Sequence, residues 1–117
     1  MDLLGRLGGA AALAGVTEAL YEQLLADPEV GPLFAATHLP EQRHRFAEYL
    51  VAACRGNEPT PSQRLHVAHY DQGVTDRHFA IMHGCLTDVL TTAGFDAAAT
   101  AELLDLIIAR RADVVSR

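Results

Sequence analysis

The sequence predicts an all-α domain on three observations. No stretch alternates apolar and polar residues with the period of two that marks a half-buried strand. Four segments instead carry apolar residues at the three- and four-residue spacing of a helix face. The breaks between them fall at Gly8-Gly9, Asp27-Pro28, Gly31-Pro32 and the run Arg55 to Ser62, residues that end helices and make turns.

The first helix is expected from about Ala10 to Ala26, where Leu13, Val16, Leu20 and Leu24 form one stripe. Asp27-Pro28 closes it, because proline disfavours helical geometry in the residue before it. A second helix begins near Pro40, at a first-turn position where the missing N–H costs nothing. Gln42, Phe46, Tyr49 and Ala53 share its inner face, an amide and a phenol among apolar groups. Gln63 to Tyr70 reads as either a short helix or an ordered loop. Thr75 is a good N-cap for a third helix ending near Ala93, with Phe79, Met82, Leu86 and Val89 inside and Gly94 as its stop. Asp96 caps the last, about Ala97 to Val115, with Leu104, Ile108 and Val115 on one face and Leu103, Ile107 and Val114 beside them.

The chain has 117 residues, 50% of them hydrophobic and 21% charged, which suits a single domain spanning 1–117. At that length roughly two thirds of the unfolded surface can be buried. Nine basic residues against fifteen acidic give a net charge of −6, the wrong sign for tracking nucleic-acid phosphates or lying on an acidic membrane. No apolar run approaches the length of a membrane span. The opening MDLLGRLGGAAALAGV has the look of a signal peptide, but Asp2 and the continuation into TEALYEQLLAD place it in the folded domain. Cys54 and Cys85 form no CxxC motif and read as reduced thiols, which suits a cytoplasmic protein.

Six histidines invite a metal reading. His66 and His69 have i, i+3 spacing but no evident third ligand for zinc. His38 and His44 flank the entry to the second helix. His83 follows His78 by five residues, about 140° round a helix, and reads as a surface residue. His78 opens the third helix, with Met82, Cys85 and Val89 continuing its stripe inward. Such a histidine either hydrogen-bonds locally or binds something in the core.

Four collinear segments resemble the truncated haemoglobins of group I. GVTDRHFAIMHGCLTDVL, with Gly73-Val74-Thr75 and then His78-Phe79, is similar to the family's proximal region. Leu7-Gly8-Gly9 resembles its early glycine pair, and Leu20-Tyr21 its B helix with a distal tyrosine. PLFAATHLPEQRHRFAEYL resembles its CD corner and E helix, with Phe34 at the corner and Gln42 at the distal position. The resemblance runs from about Leu4 to Ser116. It implies a two-over-two helical sandwich around one haem b.

By resemblance, His78 holds the iron as proximal ligand, leaving a sixth position open for O2, NO or CO. Tyr21 donates a hydrogen bond to the ligand and Gln42 supports it; Phe34 lies on the porphyrin face. Phe46 walls the distal side, where better-known members often carry glutamine. Arg45 suits a haem propionate. Tyr49, Met82 and His69 are further haem contacts, and His44 reaches the iron only with a helix shift. Arg55-Gly56 stands where relatives have Gly-Gly. The implied function is reversible diatomic binding by a monomer or weak homodimer, with oxidation of NO to nitrate if an external reductase supplies electrons. The rival class is a haem-free helical interaction domain.

Overall fold

A computed structural model describes residues 2–34, 38–56 and 75–110. Its first element, α1 (Leu3–Arg6), is a single turn capped by Asp2, whose Oδ1 accepts the Gly5 N–H at 2.8 Å. Gly8 and Gly9 then take φ of +88° and +86°. A side chain at Gly8 would also put its Cβ 2.9 Å from that of Ala12, so glycine is required on both counts. This left-handed Gly8 caps α2 (Gly9–Ala26), which starts one residue earlier than the stripe suggests.

The inner face of α2 carries Leu13, Val16, Thr17, Leu20, Tyr21 and Leu24. Thr17 is buried without penalty because its hydroxyl donates to the Leu13 carbonyl at 2.8 Å. After α2, Asp27 Oδ1 accepts the N–H groups of Glu29 and Val30, a side-chain-capped turn leading into a 3₁₀ turn at Gly31–Phe34.

Helix α3 (Leu39–Cys54) has Pro40 in its first turn and buries Gln42, Phe46, Tyr49, Leu50, Ala52 and Ala53. Helix α4 (Asp76–Thr92) starts at the Thr75 cap and buries Phe79, Met82, Leu86, Val89 and Leu90. Gly94, at φ +79°, turns the chain into α5 (Ala97–Ala109), where Asp96 Oδ2 accepts the Ala99 N–H at 2.9 Å.

Helix α2 packs on both α3 and α4, and α5 closes against the same two, giving the two-over-two sandwich. Arg6 pairs with Glu102 and, at 3.5 Å, with Asp96, tying α1 to α5. One correction concerns the inner face of α5. Leu103 and Ile107 are fully buried, whereas Ile108 is 52% exposed and Leu104 only half-buried. Ala99 and Thr100 set that face, and helical period rotates Ile108 out of it. Val114 and Val115 lie outside the described residues. Among those described, no helix is long and apolar enough to cross a membrane. Cys54 and Cys85 are free, half-buried thiols.

Candidate functional site

The fold brings Tyr21 of α2 against Gln42 of α3 in the middle of the molecule. Both are buried, at 1% and 0% exposure, and Gln42 Nε2 donates to the Tyr21 hydroxyl oxygen at 3.2 Å. The helical repeat explains the meeting. Tyr21 lies on the inner stripe of α2, and Gln42 shares with Phe46 and Tyr49 the stripe of α3 that faces it.

Aromatic rings enclose this polar pair. The Phe34 ring lies 5.4 Å from that of Tyr21 with a 53° tilt, and Phe46 stands edge-on at 5.9 Å and 78°. Tyr49 continues the cluster, 6.0 Å from Phe46. Burial pushes the Tyr21 phenol far above its ordinary range, only partly offset by the Gln42 bond and the Arg43 charge. It is therefore a neutral hydroxyl at any working pH. Because its oxygen accepts from Gln42, its own proton is left to donate elsewhere. A protonated phenol in an apolar shell is a strong donor to any small ligand that carries negative charge.

The remaining expected residues divide. Met82 and Phe79 are buried on α4. Tyr49 sends its hydroxyl to the Arg110 carbonyl at 3.3 Å, so its polar end serves the α3–α5 contact. Arg45 is paired with Glu41 one turn earlier on its own helix. His44 is 73% exposed and 3.1 Å from Glu48. It lies two residues from Gln42, about 200° round α3, and so points away from the polar pair. His38 is likewise exposed, 3.8 Å from Glu41. His66 and His69 fall outside the described residues.

Two histidines on α4 differ from expectation. His78 takes the local alternative: its Nδ1 accepts the Thr75 N–H at 3.1 Å, while Thr75 Oγ1 accepts the His78 N–H at 3.2 Å. This is a reciprocal capping box with histidine where glutamate or glutamine is usual. In this placement His78 serves as a helix cap. His83 is half-buried rather than fully exposed. It follows Phe79 by one turn, its ring 6.2 Å from the Phe79 ring, and its enclosed Nε2 has no hydrogen-bond partner among the described residues.

A pairing missed by the sequence reading is that of Glu29 with Arg77, 48 positions apart. Neither residue lies on an apolar stripe, so no periodic signal marks the pair.

A sequence profile of the bacterial-like globins matches residues 2–116. The group 1 truncated haemoglobin GlbN of Mycolicibacterium paratuberculosis is 32% identical over 106 residues, 91% of this chain and 78% of the relative. The chain belongs to the group 1 truncated haemoglobins. Among solved structures, the 2/2 haemoglobin of Synechococcus sp. PCC 7002, with covalently attached haem, is 27% identical with a TM-score of 0.85. It covers 100% of both chains. The truncated haemoglobin of Tetrahymena pyriformis shares the fold at the same TM-score and coverage with 22% identity.

Membership makes the chain a haem-binding globin, and the residues fit that group. Aromatic rings suit a flat porphyrin, and the free proton of Tyr21 suits a ligand on its iron. A haem-free interaction domain does not agree with the membership.

Proposed function

We propose that this truncated haemoglobin takes up O2, NO and CO reversibly, with Tyr21 and Gln42 as the distal residues. The buried Tyr21–Gln42 hydrogen bond inside an aromatic shell carries the reading. A bound haem supplies a ferrous iron with one open coordination position for a diatomic ligand. Tyr21 would donate a hydrogen bond to such a ligand, with Gln42 holding the phenol oxygen in place and Phe34 and Phe46 keeping water out. The outward direction of His44 supports a position left open in the resting state. In the Tetrahymena pyriformis protein, a tyrosine and two glutamines have been replaced singly in solved structures. Their spacing along that chain equals that of Tyr21, Gln42 and Phe46 in this one, which supports the same reading.

The haem is b-type in this reading, as the family resemblance implies. His69 is the proposed iron ligand. His78 holds a cap, His38 and His44 face solvent beside carboxylates, and His83 Nε2 is already enclosed by protein. That leaves His66 and His69, of which the family resemblance favours His69 as the haem contact. Titration with haemin tests the assignment. His69→Gly should lose the Soret band of the wild type and regain it with added imidazole. His78→Ala should load haem normally while losing about 1 kcal/mol of stability, the usual cost of a cap. The reverse pattern would return the iron to His78. Oxidation of NO to nitrate is a further capacity of such a site and requires an external reductase.

A further inference from the structure

Phe34 and Phe79 sit on segments that each pack on α2. The two segments are joined by a bidentate ion pair. Arg77, in the first turn of α4, donates through Nη2 to Glu29 Oε1 at 2.7 Å and through Nε to the other carboxylate oxygen. Glu29 lies in the turn held by Asp27, and from there the chain runs through Gly31 to Phe34, buried on the Tyr21 ring. Arg77 is two residues before buried Phe79 and one before the capping residue His78. The pair thus joins two segments that lie 48 positions apart in sequence.

We propose that Glu29 and Arg77 clasp the Phe34 segment to the start of α4 and thereby set how fast haem leaves, making haem retention depend on ionic strength. The proposal rests on the haem-binding reading. A flat group the size of a porphyrin leaves only if its walls part, and parting these two breaks the clasp. Both side chains are solvent-exposed, at 73% for Arg77 and 42% for Glu29, so salt screens their attraction. Exposed pairs contribute little each, which limits the effect to about three- to five-fold in rate.

Haemin transfer from the loaded protein to excess apomyoglobin measures it. Arg77→Ala and Glu29→Gln should each release haem about three- to five-fold faster than wild type in dilute buffer. All should converge near 1 M salt, where the Debye length is only about 3 Å. The exchange pair Glu29→Arg with Arg77→Glu should restore slow release, which a purely local role of either residue would not produce. In the haem-free protein, Arg77→Ala should also speed hydrogen exchange at the Val30 and Leu33 amides of the clasped turn. Loaded variants releasing haem at the wild-type rate in dilute buffer would overturn the clasp and leave the haem reading intact. A wild type that takes up no haemin would overturn both.

Discussion

Tyr21 and Gln42 are buried polar groups whose positions are fixed by each other, and the consequence is measurable on the haem-free protein. Removing the amide by Gln42→Leu leaves the phenol oxygen without that donor in an apolar shell. Chemical denaturation should then show a loss of about 1–3 kcal/mol, the cost of stranding a buried polar group. Cys54 gives a second test at this scale. Burial, with the Asp2 charge adding to it, pushes its thiol up to about 11. Alkylation of Cys54 at pH 8 should therefore be much slower in the native protein than in urea, and should rise steeply towards pH 11. A raised folded-state value means the thiol's contribution to stability is intact below about pH 9 and is lost as pH climbs towards 11. The two histidines of α4 show where residue-level reading stops. Helical period placed His78 at the start of α4 but could not choose between a local bond and a ligand. That choice depends on which ring nitrogen meets the Thr75 N–H.

At the scale of elements, the helices were legible because each is bounded by residues with few conformational options. Gly8 and Gly94 at positive φ, Pro40 in a first turn, and Thr75 and Asp96 as caps all mark ends that the stripes alone would blur. The inner face of α5 was less legible. Leu103, Leu104, Ile107 and Ile108 are adjacent apolar pairs, and composition cannot say which of each pair faces α3 and α4. The structure decides for Leu103 and Ile107. Ile107→Ala should accordingly cost about 2–5 kcal/mol by cavity formation. Ile108→Ala should stay within about 0.5 kcal/mol. Equal losses at the two positions would contradict the assigned face. Neither Arg77 nor Glu29 was legible, since ion pairs between distant segments leave no periodic trace.

For the whole molecule, a small helical sandwich that encloses a large apolar group gains stability from the group by mass action. Haemin at a hundred times its dissociation constant should add about 2.7 kcal/mol, seen as a higher melting temperature. Acid should act in the opposite direction at the surface. Arg77 holds the Glu29 carboxyl below its usual range, so the clasp contributes fully above the ordinary carboxylate pKa and is lost as pH falls below it through the lowered value. The helices were readable from four stripes, whereas their two-over-two arrangement and the expected roles of Tyr21 and Gln42 came only with the family resemblance. Everything at the distal side turns on Tyr21 donating a hydrogen bond to the ligand. Stopped-flow measurement of oxygen dissociation from the reduced, haem-loaded protein and its Tyr21→Phe variant tests it most directly. The variant should release oxygen about ten- to a hundred-fold faster, the loss of a hydrogen bond to a charged acceptor. Equal rates would show that the phenol does not touch the ligand.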